Sequence, residues 1–420
     1  MNQKVKQMNQ LSITRVSKNA KAAAQSLLAV KEENRNQALM RLAELLIQKI
    51  PDIISANNKD LAAAKSAGLS EAILDRLQLN EQRIEDLAES VKNISKQAQV
   101  VNEIVSEIKR DDGLIIQKQR IPIGVLAMIF ESRPNVVVDC SALAIKSGNA
   151  IILKGGKEAQ HSNLILAEIV IQATENLLPN FSVQLVTTRD DVSQLLQQVD
   201  TIDLVIPRGG ESLINYVVAN SKIPVLAHYK GLCHIYIDSS ADREQAIEIV
   251  INAKAQRPGV CNAIETLLLD KQLEDDFILK LFARLEEEKV ELRVSEDCPK
   301  TATTKDASDA DWSTEYLDKI LSVKMVENVQ AACEHIKQFG SQHTEAILST
   351  SQQTIEYFQL NVDASSVMIN ASTRFNDGGE YMLGAELGIS TTKIHAYGPM
   401  GAKEMTITRR LVIGRGHIRL

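Results

Sequence analysis

From residue 125 onward, short apolar segments rich in β-branched residues alternate with longer segments of helical period. This alternation predicts parallel strands joined by crossover helices, so the chain should be an α/β protein. It continues through two successive blocks, and each block predicts its own parallel sheet. The predicted strands are residues 125–130, 150–153, 182–186 and 202–206 in the first block, and 233–237, 264–269, 290–294, 320–326 and 346–348 in the second.

The first hundred residues have a different pattern, which predicts amphipathic helices. Leu39, Leu42 and Leu46 recur at steps of three and four and mark one buried helical face. We expect these helices to pack on the first sheet.

Two long strand-like segments lie far apart in the sequence, one within 113–124 and one within 405–413. They are rich in β-branched residues and could pair as a protruding sheet. Such a sheet exposes its edges unless a second subunit covers them. We therefore predict an arm formed by 109–124 and 401–420 that makes a homo-oligomer, a dimer or a tetramer.

Composition excludes several classes of function. The 420 residues carry 47 basic and 54 acidic side chains, a net charge of −7, which argues against a nucleic-acid groove. No apolar stretch is long enough for a membrane span, and the first residues lack the apolar core of a signal peptide. Five irregularly spaced cysteines suggest reduced thiols in the cytoplasm, and no metal-ligand spacing occurs.

One cysteine has a setting that suggests chemistry. Cys261 follows the Pro258-Gly259 bend and precedes the apolar run 264–269. A sharp turn anchored by a buried strand can hold a thiolate at a defined place, as a nucleophile requires. The alternative is a small buried hydrophobic side chain, the usual fate of a free cysteine.

Two glycine-containing turns follow predicted strands of the first sheet. One begins at Lys154, and the other contains Gly209 and Gly210. Nucleotides bind at this edge of open parallel sheets, where glycines let backbone N–H groups approach a phosphate. Neither turn has the Gly-x-Gly-x-x-Gly fingerprint, and glycine needed only for steric reasons is the alternative.

Two further polar residues have both a functional and a structural interpretation. Asn135 lies where a loop enters a helix, so it could cap that helix or donate its amide to an oxyanion. Glu315 could accept hydrogen bonds from ribose hydroxyls or be a solvated carboxylate.

Together these motifs resemble the aldehyde dehydrogenase superfamily and, within it, the branch that reduces γ-glutamyl phosphate to glutamate 5-semialdehyde in proline synthesis. The likeness spans nearly the whole chain. The segments that carry it are 121–125, 131–135, 146–150, 207–210, 231–236, 257–262, 311–317 and 384–391.

The resemblance implies an aldehyde dehydrogenase-like fold and an NADPH-dependent enzyme. It implies that 1–108 and 125–230 form the cofactor-binding domain, to which 370–400 returns, and that 231–369 form the catalytic domain. The site residues it implies are Cys261 as nucleophile, Asn135 in the oxyanion hole, Lys154 and Glu315 on the adenosine ribose, and Gly209, Gly210 and Glu211 at the cofactor phosphates.

Hydrolytic members of the superfamily have a glutamate base in the segment that corresponds to 227–232, where this chain has no carboxylate and only His228 as a candidate base. A reductase that works through an acyl phosphate must keep water from its thioester, so losing the base favours reduction. One alternative is a hydrolytic NAD-linked aldehyde dehydrogenase, whose aldehyde oxidation would not depend on phosphate. The other is a non-catalytic binding protein that keeps the fold and an inactive site.

The substrate of this branch carries negative charge, and two arginines could bind it. Arg133 lies two residues before Asn135, and Arg374 is the second candidate. A guanidinium pairs bidentately with carboxylate or phosphate, although a structural salt bridge would explain either residue equally well. A glutamate 5-kinase could pass the labile acyl phosphate on directly.

Overall fold

The structure is a computed structural model that describes residues 12–187, 190–227 and 230–419. Its first part is helical, as predicted, and the apolar faces of these helices are buried: Leu39, Leu42 and Leu46 have no exposed surface. No helix in the described ranges is both long and apolar enough to span a bilayer. The N-terminal helices are α1 (Ile13–Leu27), α2 (Glu32–Gln48), α3 (Ile50–Ser66), α4 (Glu71–Leu77) and α5 (Glu81–Lys96).

A three-stranded antiparallel sheet joins distant parts of the chain. Its central strand β2 (Ile115–Pro122) pairs along its whole length with β16 (Thr406–Ile413), the pairing predicted for the arm. The sheet also contains β1 (Ile104–Lys109), which begins before the predicted arm boundary at residue 109. Every residue of β1 is exposed, because the strand has no layer packed over it.

The first parallel sheet has the strand order β5-β4-β3-β6. Its strands are almost entirely buried, as expected for parallel strands that are covered on both faces. A left-handed glycine, Gly148 with φ 74°, ends the helix between β3 and β4. The elements are β3 (Val125–Phe130), α6 (Val136–Ser147), β4 (Ala150–Lys154), α7 (Gln160–Thr174), β5 (Val183–Val186), α8 (Asp190–Leu195), β6 (Leu204–Arg208) and α9 (Glu211–Asn220).

The second sheet is parallel throughout and has the order β10-β9-β11-β8-β7-β12-β13. The amino end of β7 lies beside the turn that leads into β8, where Cys233 Sγ donates to the carbonyl of Cys261. The elements are β7 (Cys233–Ile237), α10 (Arg243–Ala255), β8 (Ile264–Asp270), α11 (Asp275–Glu287), β9 (Glu291–Val294), β10 (Lys305–Asp306), β11 (Ile320–Val326), α12 (Val329–Phe339), β12 (Thr344–Leu348), α13 (Gln352–Asn361) and β13 (Ser366–Ile369).

The segment 370–400, predicted to return to the cofactor-binding domain, contacts both the second sheet and the N-terminal helices. Its beginning lies on the second sheet, where Asn376 Nδ2 donates to Thr344 Oγ1 at 2.6 Å. A later part of the segment lies on α5, where Ser90 Oγ donates to the carbonyl of Gly384 at 3.1 Å. The segment therefore crosses the junction between the sheets, and the short strands β14 (Ile389–Ser390) and β15 (Gly398–Pro399) pair within it.

Candidate active site

The predicted nucleophile lies in the turn between α10 and β8. All five cysteines are described, and Cys261 is partly exposed while Cys140, Cys233, Cys298 and Cys333 are buried. The structure does not favour the alternative of a thiol sealed in hydrocarbon.

Gly231 fixes the backbone of this turn. A Cβ atom on Gly231 would lie 2.1 Å from the carbonyl oxygen of Cys261 and 2.6 Å from its Cα. The Sγ of Cys233 also donates to that carbonyl at 3.1 Å. The segment 231–233 therefore packs directly against the back of the nucleophile.

Charged groups from several parts of the chain act on the thiol. Burial raises the pKa of Cys261 to about 11, and the carboxylate of Glu386 raises it as well, as does Glu315 to a smaller extent. Arg208 and Arg133 oppose them and favour the thiolate. The sequence predicted Cys261 as the nucleophile, but it did not predict that two carboxylates and two arginines would act on its pKa in opposite directions.

Asn135 stands at the amino end of α6 but does not cap it. Its side chain makes no capping hydrogen bond; instead Nδ2 donates to Asp139 Oδ2 at 2.9 Å, one helical turn ahead. The structural alternative for this asparagine is therefore not observed, and its amide remains a candidate oxyanion donor.

The guanidinium of Arg133 has no anionic partner in the part of the chain that the structure describes. Burial, together with the smaller effects of the positive charges on Arg208, Arg76 and Arg257, lowers its pKa to about 10. Across 12–187, 190–227 and 230–419, its side chain forms no ion pair or hydrogen bond. Such a group, close to Cys261, is suited to binding an anion.

Arg374, the other predicted substrate ligand, is engaged within the protein. Its Nε donates to Gln256 Oε1 at 3.0 Å, and Nη1 donates to Asn262 Oδ1. Thr373 Oγ1 donates to the carbonyl of Asn262 at 2.7 Å. Arg374 therefore contacts both ends of the Cys261 turn. Among the residues that the structure describes, neither arginine makes the salt bridge that the alternative required.

The predicted cofactor residues of the first sheet share one edge. Lys154 ends β4, and Gly209 and Gly210 follow β6, so the two turns flank the loop that follows the central strand β3. The Nζ of Lys154 donates to the carbonyl of Gly155 at 2.7 Å. Gly210 N–H donates to Glu131 Oε2 at 3.1 Å, so that carboxylate already lies at the amino end of α9.

Glu315 lies elsewhere, beside the catalytic turn. Its Oε1 accepts from the N–H of Gly231 at 2.9 Å, and burial raises the pKa of its carboxyl group. Glu211, the first residue of α9, has Lys230 Nζ 3.8 Å from its Oε1. The structure thus brings Glu315 to Cys261 and not to the turn of Lys154.

Sequence reasoning missed Glu386 and Arg208 as site residues. Arg208 ends β6; its Nη1 donates to the carbonyl of Leu387 at 3.2 Å and its Nη2 lies 3.7 Å from Glu386 Oε1. Glu386 Oε2 accepts from Gly378 N–H at 2.9 Å. Both residues occur in segments noted for their family likeness, but nothing local in the sequence indicates that they meet. His228, the candidate base, lies outside the described residues.

Comparison with known proteins identifies the family. A profile of the aldehyde dehydrogenase family matches residues 2–320. The γ-glutamyl phosphate reductase of Geobacter metallireducens is 45% identical over 412 residues, covering 97% of this chain and 98% of that protein. The γ-glutamyl phosphate reductase of Desulfatibacillum aliphaticivorans is 47% identical over 411 residues, which cover 96% of this chain and 98% of that protein.

Solved structures of proteins from this family superpose on the chain. The crystal structure of γ-glutamyl phosphate reductase from Thermotoga maritima superposes with a TM-score of 0.94 at 38% identity, over 97% of this chain and 100% of that one. An acetylating aldehyde dehydrogenase from Geobacillus thermoglucosidasius has a TM-score of 0.69 at 16% identity, over 100% of both chains, and shares the fold.

The chain therefore belongs to the aldehyde dehydrogenase family and, within it, to the γ-glutamyl phosphate reductases. The predicted fold class, two parallel α/β sheets with a β arm, is confirmed, as is the oxidoreductase class with a nicotinamide cofactor. No cluster of three or more His, Cys, Asp or Glu side chains suited to a metal ion occurs within the described ranges.

Proposed function

We propose that this protein uses NADPH to reduce L-glutamate 5-phosphate to L-glutamate 5-semialdehyde with release of phosphate, the second step of proline biosynthesis. The observation that carries the proposal is that Cys261 is partly exposed and lies close to the guanidinium of Arg133, which has no partner among the described residues. A nucleophile next to an anion-binding cation is what an acyl phosphate requires.

The reaction begins with attack of the Cys261 thiolate on the acyl carbon. Arg133 and Arg208 favour that thiolate. The second N–H of the Asn135 amide and the backbone N–H of Cys261 stabilise the tetrahedral oxyanion, at about 3 kcal/mol for a well-placed donor. Arg133 neutralises the departing phosphate, and a thioester to Cys261 remains.

The residues at the edge of the first sheet fit a dinucleotide. Lys154 provides an ammonium group for a ribose or phosphate, and the α9 terminus at Gly209, Gly210 and Glu211 provides backbone N–H groups. A Cβ on Gly210 would meet nothing nearer than Glu131 Oε2 at 4.0 Å, and a cofactor phosphate at this helix end would replace the Glu131 carboxylate as the acceptor for Gly210 N–H. When bound, the cofactor supplies the hydride that reduces the thioester carbon. The choice of NADPH rests on the likeness to γ-glutamyl phosphate reductases.

Glu315 is better placed for the ribose beside the nicotinamide than for the adenosine ribose. Its carboxylate is hydrogen-bonded to Gly231, which packs on Cys261, and hydride transfer requires the nicotinamide at Cys261. Lys154, at the end of β4, keeps the adenosine ribose as its proposed ligand.

Hydrolysis of the thioester is the alternative, and it needs a base for water. Of the carboxylates that act on Cys261, Glu315 is hydrogen-bonded to Gly231, and Glu386 to Gly378 and near Arg208. Both are held by partners within the protein, which supports reduction of an acyl phosphate over hydrolysis.

We further propose that the arm of β1, β2 and β16 makes a homo-oligomer in the cytoplasm. Its edge strands expose apolar side chains, including Ile108 at 57% and Val412 at 55%, which an unpartnered sheet would leave open to aggregation. A glutamate 5-kinase that delivers the labile acyl phosphate is the proposed protein partner.

The test is oxidation of glutamate 5-semialdehyde, followed as NADPH or NADH formation with and without inorganic phosphate. We expect turnover that requires phosphate and prefers NADP over NAD, and that is lost in Cys261→Ser. The matched control Cys333→Ser replaces a buried cysteine in the second domain and should retain turnover. Phosphate-independent turnover would indicate the hydrolytic alternative, and no turnover with any aldehyde or acyl phosphate would indicate a dead site.

A further inference from the structure

Asp139 is a mostly buried carboxylate that the proposed reaction does not use. It lies in the first turn of α6, one turn beyond Asn135, where side chains four residues apart meet. Its Oδ2 accepts one hydrogen bond, from Asn135 Nδ2 at 2.9 Å. Within the described ranges, Asn135 is the sole hydrogen-bond partner of this side chain.

Two buried carboxylates with a structural role, Asp60 and Asp238, each accept several hydrogen bonds, unlike Asp139. Asp60 accepts from His161 N–H at 3.1 Å, Ser162 N–H at 2.8 Å and Ser162 Oγ at 2.7 Å, and so caps α7. Asp238 accepts from Ser349 Oγ at 2.8 Å and from both the N–H and the hydroxyl of Ser240. A mostly buried acid with a single hydrogen bond costs stability, so Asp139 is poorly explained as a stabilising group.

The carboxylate does determine which way the Asn135 amide faces. An ionised carboxylate only accepts hydrogen bonds, so the –NH2 group of Asn135, and not its carbonyl, must face Asp139. One N–H then points at Asp139, and the other leaves the same nitrogen in a different, fixed direction. Without an acceptor at this position the amide could rotate and present its carbonyl to the reacting oxygen.

We propose that Asp139 is a positioning residue that holds the Asn135 amide with an N–H directed at the carbonyl oxygen of the bound substrate. The inference rests on the proposed function of Asn135 as oxyanion donor. A donor that is fixed before the reaction does not have to reorganise during it, which is the main source of oxyanion stabilisation.

The charges that face Asp139 come from two other elements. Arg208, at the end of β6, stabilises its ionised form, while Glu386, in the segment 370–400, opposes it. Burial, the largest influence, raises the pKa of Asp139 to about 6, so the group is ionised at neutral pH and serves as an acceptor.

The experiment compares kcat, KM and the thermal unfolding midpoint of four variants with the wild type in the phosphate-dependent assay. Asn135→Ala should lose about 10²–10³-fold in kcat. Asp139→Leu, which removes the acceptor at similar size, should lose about 10²-fold in kcat with little change in KM. Its unfolding midpoint should be unchanged or higher, because a costly buried charge is gone. The double variant should match Asn135→Ala alone.

The matched control is Asp238→Asn, since Asp238 follows the carboxyl end of β7 and Cys261 lies near the amino end. It should lower the unfolding midpoint and leave kcat near wild type. Asp139→Leu with wild-type kcat beside an impaired Asn135→Ala overturns the inference and leaves the proposed function standing. Effects that multiply in the double variant, or a kcat loss that only follows a lower unfolding midpoint, also overturn it. Wild-type kcat in Asn135→Ala overturns both the inference and the proposed role of Asn135 as oxyanion donor, and leaves the phosphate-dependent activity standing.

Asp139→Asn decides the question if Asp139→Leu does not fold. Asparagine keeps the size but presents both donor and acceptor, so it no longer fixes the amide. We expect kcat to fall about tenfold, within the range in which positioning acts. An unchanged kcat would overturn the inference.

Discussion

The Cα of Gly231 packs so closely on the backbone of Cys261 that a Cβ atom there would lie 2.1 Å from the Cys261 carbonyl oxygen. The atoms in the way belong to the backbone, so a side chain can be accommodated only if the catalytic turn moves. Gly231→Ala should therefore lower kcat about 10²-fold, the effect of displacing a reacting group by about 1 Å. Steady-state kinetics and the alkylation rate of Cys261 measure it.

Gly259→Ala, in the same turn, is the matched control. A Cβ on Gly259 would make only an ordinary contact, 3.6 Å from the carbonyl oxygen of Leu317. Its effect on kcat should be much smaller than that of Gly231→Ala. Equal losses would mean that the turn requires glycine for flexibility and not for space.

Glu386 should control the titration of the nucleophile. Burial and the Glu386 carboxylate raise the pKa of Cys261 to about 11. Removing a negative charge favours the thiolate, so Glu386→Gln should move the midpoint of the pH dependence of iodoacetamide alkylation below that of the wild type. Arg208→Met removes a positive charge and should move it upward. Equal midpoints in all three proteins would exclude this electrostatic control.

Arg133 and Arg374 should differ in their kinetic effects. The free guanidinium of Arg133 makes Arg133→Met a substrate-binding variant, with KM for phosphate or acyl phosphate raised about tenfold or more, as expected when a charged hydrogen-bonding partner is lost. Arg374 braces Asn262 and Gln256, so Arg374→Met should mainly lower kcat and the unfolding midpoint. If Arg374→Met instead raised KM and Arg133→Met lowered kcat, Arg374 would be the substrate ligand and Arg133 the structural residue.

A buried ion pair should stabilise the loop that carries Glu315. Lys254 Nζ lies 2.6 Å from Glu265 Oε2, the two side chains are 0% and 1% exposed, and Glu265 Oε1 accepts from Leu317 N–H at 3.1 Å. Lys254→Met leaves a buried carboxylate unpaired and should lower the free energy of unfolding by about 3–5 kcal/mol. In the double variant Lys254→Met/Glu265→Gln, much of the lost free energy of unfolding should be restored, as measured by urea denaturation.

The exposed pair of Lys280 and Glu244 is the control for that measurement. Its side chains are 53% and 75% exposed, so Lys280→Met should change the free energy of unfolding by less than about 1 kcal/mol. If Lys280→Met lowered the free energy of unfolding as much as Lys254→Met does, burial of the ion pair would not explain the loss of stability.

The arm should determine the oligomeric state. Combining Ile108→Glu with Val412→Glu places charges on both exposed edges of the three-stranded sheet and should give monomers in light scattering coupled to size-exclusion chromatography. Leu360→Glu, at an 86% exposed leucine in α13, should leave the assembly unchanged. An unchanged assembly in the arm variant would place the interface elsewhere.

Much of the fold could be predicted from the sequence because its signals are local. The period of apolar residues predicts the four strands of the first sheet and most strands of the second, though not the two-residue β10, and the Pro258-Gly259 bend before a buried strand predicts the turn that presents Cys261. The two strands of the arm were predicted from their composition. Strand β1 was missed because it is entirely exposed, so burial imposes no apolar alternation on it.

Local sequence patterns specify the α/β fold, the position of the candidate nucleophile and the turns at the sheet edge, since each depends on neighbouring residues. The charges that surround Cys261 depend instead on how distant segments pack. Arg208 and Glu386 meet because 370–400 crosses the junction of the two sheets, and Glu315 reaches Cys261 because Gly231 binds it. Such contacts depend on strand order and on how distant segments pack, which local patterns do not encode.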